Sequence, residues 1–521
     1  MIVSTKWLKE LIDYSLTPEE LESGLTSLGL ECTYKADVSS FSGIVVGKIL
    51  SVSKVEDSDH LNLCKVDIGE TTVEIVCGAN NVEPDILVPV ALPGATLDNG
   101  NFTIKKAKIR GVVSNGMICS EKELGISSNH KGIMIFSEHH EIGSKFTNSK
   151  GNDIVDIDLT PNRGDCFSHL GVAREIALLE NIPINQSIKS FEAGDFDTDV
   201  QIEIDNIDDC PRYAARVIKG VNVKPSPDWL REKIESIGHK SINNIVDAAN
   251  YILFHFGHPM HTFDLDKIKN NKINVKKIKD KQNVMCLDGV TRSTTKDHLL
   301  ICDGEKPIAI AGIMGLENSS VKDNTTNILI ESAYFNPITV RKGAKQLDLS
   351  TDASKRFERD TDINMIIKSL DALTGLICEI AGGEPSKNVV DIYPKVKEKN
   401  IIDFDIDNCN ALLGTSLNKK DMINILKKLS LEVLEEQKSI KCTIPSYRND
   451  LERSVDLYEE IARVYGYDNI PIAEFFSGSY SSLKKDKNLL SKKISNTLSN
   501  IVSEIPMVSF VRRWCPSFRF T

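Results

Sequence analysis

The sequence predicts a multidomain α+β protein, with a small β-barrel near its N-terminus, an α/β module in its centre and a compact helix–strand module beyond. Three observations lead there. At 521 residues the chain is too long for one core, and roughly three or four domains are expected. From about Phe41 short strands rich in Val and Ile follow one another closely. Further on, glycine-bounded strands alternate with helical stretches. Hydrophobic content of 41% and charged content of 26% belong to an ordinary globular protein. No apolar run approaches ~18 residues, so no membrane span is expected. MIVSTKWLKELIDY carries charges within its apolar segment, unlike a signal peptide. Twelve scattered cysteines without a C-x-x-C pair fit reduced thiols in a cytoplasm and argue against zinc. A net charge of -11 argues against a generic nucleic-acid coat, while leaving room for a local basic surface.

Residues 1–38 read as a short strand and a helix, which Pro18 opens and Gly29 closes. IVVGKILSV, LNLCKVDI, TVEIVCGA and VPVALPGA are the barrel strands, for which an oligonucleotide-binding barrel is one common solution. Near their end, FTIKKAKIRG concentrates Lys105, Lys106, Lys108 and Arg110. These four are either a lysine-protected edge strand or a phosphate-tracking groove. DIVDIDLTPNRGDCFSHLGVAREIALLE reads as strand, turn and helix, and a polar linker without clear period follows. The third module holds the stretch from Asn243 to Asp360 and ends in one long helix, DASKRFERD through IAGG. A fourth unit has a helix at DMINILKKLSL, a strand at IKCTIPSYRND and a second helix.

Two places carry candidate chemistry. The 243–360 stretch sets His258, His261, Glu331, Thr351 and Ala353 among glycine-bounded strands, a polar site for hydrolysis or for a hydroxylated ligand. His255, His258 and His261 invite a metal reading, but Gly257 and Pro259 break the helix that would align them. In LERSVDLYEEIARVYG, the residues Leu451, Val455, Tyr458, Ala462 and Tyr465 follow the spacing of a buried stripe. Asp456, Glu459 and Glu460 lie off it, with Asp450 just before. Such carboxylates either complement the helix dipole or hold a hard cation.

Taken together, these motifs resemble the beta subunit of bacterial phenylalanyl-tRNA synthetase from residue 1 to about 500. KWLKELID, VVGKILSVSKVEDSDHLNLCKVDIG, KAKIRGVVSNGMICSEKELG, DLTPNRGDCFSHLGVARE, INNIVDAANYILFHFGHPMHTFDLDKI and IPSYRNDLERSVDLYEEIARVYGYDNIP carry the resemblance in order. It implies an N-terminal α/β module at 1–38 with 151–185, interrupted by a tRNA-binding barrel at 39–150. An editing module at 208–385 and a metal-bearing module at 400–475 follow, and 476–521 begins an incomplete catalytic-like domain. It further implies a cytoplasmic α2β2 ligase that joins phenylalanine to tRNA(Phe) with ATP, with aminoacylation on the alpha subunit. Proofreading of Tyr-tRNA(Phe) would fall to this chain. By motif, His261, Glu331, Thr351 and Ala353 line the editing pocket, which Gly315 keeps open. Lys105, Lys106, Lys108 and Arg110 would contact tRNA, while Asp450, Asp456, Glu459 and Glu460 would hold Mg²⁺ shared with the alpha subunit. Glu331 would accept the tyrosine hydroxyl proton, with Thr351, Ala353 and His261 positioning the ester and a water.

Two departures stand out. GIMGLEN has Leu316 where the family shows a second glycine, and the ending IVSEIPMVSFVRRWCPSFRFT is expected to reflect a frame change or a truncated reading frame. The competing readings are a free-standing Tyr-tRNA(Phe) deacylase and a non-enzymatic tRNA-binding protein. The carboxylate-bearing helix favours the ligase subunit, since an isolated deacylase has no use for a shared cation.

Overall fold

Three strands taken from both sides of the inserted segment make the first sheet: Ile154–Ile157 lies antiparallel between Ile2–Ser4 and Cys32–Lys35. The computed structural model describes residues 1–37, 41–56, 58, 60–97, 101–126, 131–136, 140–147, 151–185, 190–435, 440–472 and 489–501. It divides into a unit from Met1 to Asn469 and a second from Ile470 to Thr521. In the second, the helix Leu489–Ile501 is described; the ending whose frame is in question lies outside the described residues. Residues 5–11 form a helix that the reading of one strand and one helix missed. Ser4 caps it by accepting from the Trp7 amide, and Trp7, Leu8 and Leu11 bury beneath it. Two turns are too short to register as a period. Pro18–Ser27 is the expected helix, closed at its start by a Thr17–Glu20 capping box.

The next sheet runs in the order Met117–Ile118, Leu87–Leu97, Ser42–Lys54, Asn62–Asp67, Thr72–Cys77, with Phe102–Thr103 paired to Leu87–Leu97. Alternate residues face inward, so Ile49, Cys64, Val66, Ile75, Val88 and Val90 share a core.

The central module stacks two sheets and a helical layer. Its first sheet is ordered Met260–Asp264, Asn327–Tyr334, Arg212–Lys219, Glu384–Pro385. Its second is ordered Gln201–Ile204, Lys272–Lys277, Leu299–Cys302, Pro307–Ile310, Met314–Gly315. The strand Asn327–Tyr334 is buried on both faces, and its side chains divide by parity. Ile328 and Ile330 join a core with Ile245, Ile252, Leu370 and Leu373 of the helices Asn244–Phe256 and Met365–Ala381. Leu329 and Ala333 join the core shared with the second sheet. The expected long C-terminal helix of this module is two helices, Asp352–Phe357 and Met365–Ala381. Asp360 breaks it with a φ of 67°, held by the Tyr334 hydroxyl donating to its Oδ1 at 2.7 Å.

The last module packs Ile401–Phe404, Ile440–Thr443 and Glu432–Glu435 against helices Ile406–Leu413, Lys419–Lys428 and Ser454–Tyr465. Its final helix is turned relative to the expected stripe. Leu457, Tyr458, Ile461 and Ala462 are buried, whereas Val455 is 43% exposed. No helix among the described residues is long and apolar enough to cross a membrane. The eleven described cysteines are all unbridged.

Candidate functional sites

Register places the central site. His261 and Ala215 pair with Glu331 from either side, so His261 and Glu331 project from one face of the sheet. That face meets the second sheet, because Leu329 and Ala333 share the parity of Glu331. Glu331 is only 6% exposed, and its one side-chain partner among the described residues is Tyr213, whose hydroxyl donates to Oε2 at 2.8 Å. Burial pushes the carboxyl up to about 7, and the Tyr213 hydrogen bond opposes that rise. Burial also pushes the His261 imidazole down to about 4, so it is neutral at pH 7; its Nε2 is enclosed without a partner. The His261 ring stands edge-on to Phe263, with centroids 4.5 Å apart.

Gly315, on the edge of the second sheet, meets this ring. A Cβ there would lie 2.5 Å from His261 Cε1 and 2.8 Å from Nε2. Only a glycine allows the two sheets to approach here. Leu316, where a second glycine was noted as absent, is 2% exposed and belongs to the core between the sheets. Thr351 caps the helix Asp352–Phe357, accepting from the Ser354 amide at 3.0 Å and donating to the Ile313 carbonyl at 2.8 Å. Its hydroxyl proton is therefore committed to tethering that helix two residues before Gly315. Ala353 is half-buried in the first turn of the same helix. Sequence reasoning missed Tyr213, whose hydroxyl meets Glu331 only through strand pairing between residues 118 apart.

The three histidines diverge. His255 Nδ1 accepts from Trp7 Nε1 at 3.0 Å. His258 Nε2 lies 3.0 Å from the Ser332 hydroxyl, which spends its own proton on the Ile366 carbonyl. Nε2 must then carry the proton, which fixes His258 as a structural donor. Only His261 faces the space between the sheets.

A second cavity lies elsewhere, a groove of about 1120 Å³ lined by residues between Val76 and Ile133. Lys105, Lys122 and Lys131 line it beside Ile104, Ala107, Ile109 and Met117. Lys106, Lys108 and Arg110 are exposed but are not among its lining. Within the strand Ala107–Ile109 alternation explains the division, since Ala107 and Ile109 line the groove and Lys108 between them does not. Arg110 and Gly111, with φ of 48° and 85°, turn the hairpin joining Ala107–Ile109 to Val112–Ser114. Lys122 and Lys131 stand alone in the sequence and gave no charge-run signal.

Asp450, Asp456, Glu459 and Glu460 border one cavity of about 380 Å³. Three of them are already engaged. Arg448 grips both oxygens of Asp450 at 2.9 Å and donates to Glu460 Oε2 at 2.8 Å. Arg463 donates to Glu460 at 2.6 and 3.1 Å. Asp456 accepts from the Glu452 and Arg453 amides and pairs with the Arg453 side chain. The arginines hold Glu460, 4% exposed, well below the usual carboxylate range. Arg463 also reaches Glu175, which Arg163 contacts at 2.7 Å, so the chain of charges ties this module to the N-terminal one. Among the described residues, the one trio of metal-ligating side chains with donor atoms within 4.8 Å of one another is Asp165, Cys166 and Glu175. The Arg163 guanidinium already occupies its centre. That trio, committed to a guanidinium group, does not fit a cation.

Comparison with known proteins accords with this arrangement. Residues 44–145 match a tRNA-binding domain, 209–382 a B3/4 domain and 402–467 a tRNA synthetase B5 domain. The phenylalanine–tRNA ligase beta subunit of Syntrophotalea carbinolica is 44% identical over 91% of this chain and 60% of its own length. That of Geobacter metallireducens is 40% identical over 98% of the chain and 64% of its own length, and that of Desulfotalea psychrophila 41% identical over 91% and 59%. The chain thus spans about three-fifths of the curated relatives it matches. With three domain matches in order and 40–44% identity over most of its length, the chain is similar to phenylalanine–tRNA ligase beta subunits.

Proposed function

We propose that this chain supplies tRNA binding and hydrolytic editing of Tyr-tRNA(Phe) to a cytoplasmic phenylalanine–tRNA ligase. In this reading an alpha subunit carries out aminoacylation with ATP and Mg²⁺ within an α2β2 assembly. The observation that carries the editing role is the buried pair of Glu331 and His261 facing Gly315. A synthetic pocket shaped for phenylalanine rejects tyrosine by only ~10², because one added hydroxyl is a weak basis for exclusion. A site that hydrogen-bonds that hydroxyl discriminates by ~10⁴ or more, since phenylalanine leaves its polar groups unpaired. Glu331 offers such a group: with Oε2 held by Tyr213, Oε1 is the oxygen available to a phenol. His261, neutral at pH 7, orients a water toward the ester through Nε2. Thr351 acts through its cap, fixing the Asp352–Phe357 helix that carries Ala353. The barrel groove, with Lys105, Lys122 and Lys131 beside apolar side chains, suits a nucleic-acid backbone and its bases.

The test is deacylation of pre-charged Tyr-tRNA(Phe) by the chain and its Glu331→Ala variant. Loss of about 10²-fold or more in the hydrolysis rate is expected, with Phe-tRNA(Phe) left intact by both. Unchanged Tyr-tRNA(Phe) hydrolysis would remove Glu331 from the site.

A further inference from the structure

We infer that Tyr213 is a positioning residue for this site: its hydroxyl fixes which oxygen of Glu331 meets the ligand and keeps that oxygen an acceptor. The inference rests on the editing role proposed above and adds to it a residue that the motifs do not mark. Tyr213 is fully buried, and its strand Arg212–Lys219 runs beside that of Glu331. Tyr213 pairs with Ala333 and Ala215 with Glu331, so the phenol reaches the carboxylate diagonally on the same face. The hydroxyl has one proton and gives it to Oε2 at 2.8 Å. Two consequences follow from that single bond. The carboxylate cannot rotate without breaking it, so Oε1 is presented in a constant orientation. Any proton Glu331 takes up must also sit on Oε1, which turns the ligand-facing oxygen from an acceptor into a donor.

A phenol donates its proton far more readily to a carboxylate than it accepts one from a carboxylic acid. The recognising state is therefore the ionised one, and Tyr213 favours it by donating to the charged form. The titratable groups facing Glu331 are few. Tyr213 and the buried Cys210 lie on the side of the Arg212–Lys219 strand, and His261 on the Met260–Asp264 strand. Burial pushes the Tyr213 phenol and the Cys210 thiol well above their ordinary values and His261 down, so all three stay neutral near pH 7. Glu331 is the group among them that changes charge there.

Tyr213→Phe keeps the buried ring and removes only the donor. Hydrolysis of Tyr-tRNA(Phe) by the chain is followed from pH 5.5 to 8.5, with the uncatalysed ester rate subtracted. The acid limb of the wild-type profile is expected to move up by about one pH unit in the variant, with the alkaline plateau largely kept. Glu331→Gln is expected to flatten the limb, and adding Tyr213→Phe to it is expected to change nothing more. An unmoved limb, with or without a loss at every pH, or a further loss in the double variant would overturn the positioning role. A limb that survives Glu331→Gln would overturn it too, because another group would then be titrating. Full hydrolysis by Glu331→Ala would remove Glu331 from the site, whereas no hydrolysis of Tyr-tRNA(Phe) by the unaltered protein would sink the editing reading itself. Failure of Tyr213→Phe alone leaves that reading standing.

Discussion

Glu331 and Glu460 are buried almost equally, at 6% and 4% exposure, yet their carboxyls are driven in opposite directions. The first sits between two sheets with one neutral donor for company. The second is clasped by two guanidinium groups. Burial disfavours charge in both places, so what decides the outcome is whether a cation repays the desolvation. The contrast separates two uses of a buried acid. A carboxyl poised near neutrality with a free oxygen is available to a ligand; one fully paired with arginines is available only to the fold.

The largest effect that would sharpen this contrast is at the clasp. Arg448→Ala leaves Asp450 and Glu460 without their shared cation, and a loss of about 3–5 kcal/mol is expected from denaturant unfolding. A loss below 1 kcal/mol would mean that the clasp is ornamental. The clasp also weakens in acid: Glu460, depressed on folding, contributes stability above its unfolded pKa that disappears as pH falls through the folded value.

Glu331 has the opposite sign. Its folded value is raised to about 7 from 4.5, so its contribution is complete below 4.5 and is lost as pH climbs through 7. That rise corresponds to about 2.5 kcal/mol between pH 5 and 8. Glu331→Gln is expected to remove this slope, measured as the difference in unfolding free energy between the two pH values. Equal slopes in wild type and variant would erase the distinction between the two acids.

The smallest expected effect is in the groove beside Lys105. Lys105→Ala is expected to reduce the slope of log binding constant against log salt for tRNA by about 1, while Lys108→Ala, outside the groove lining, leaves it unchanged. Equal reductions in both would assign the phosphate path to the whole basic run rather than to the groove.

Much of the scaffold was legible. The four principal strands between Ser42 and Leu97, the Pro18 helix and the helix in DMINILKKLSL appear where period and punctuation put them. What escaped depends on tertiary pairing. The helix carrying Glu460 shows why: its apolar stripe admits two phases, and docking against Phe404 and Met422 selects the one that buries Leu457 and exposes Val455. Glu460 then turns inward, where Arg463 on the same helix and Arg448 from the preceding segment make its burial tolerable. The break at Asp360 is equally invisible locally, because the Tyr334 hydroxyl that anchors it belongs to another strand. His261 and Glu331 could be picked out by motif; that they are opposite partners on adjacent strands could not.

The first sheet has a consequence for the chain's history. Lys35 pairs directly with Ile154, and the Asp37 amide donates to Asp153 while the Asn152 amide returns the bond to Asp37. The points at which the backbone leaves for the inserted segment and comes home are therefore stitched side by side. A cartridge held by one such seam is removable: splicing residue 37 to residue 152 interrupts none of the three strands. The inserted segment and the modules that follow it are thus separable in inheritance, free to be gained, exchanged or lost without recasting the scaffold between them.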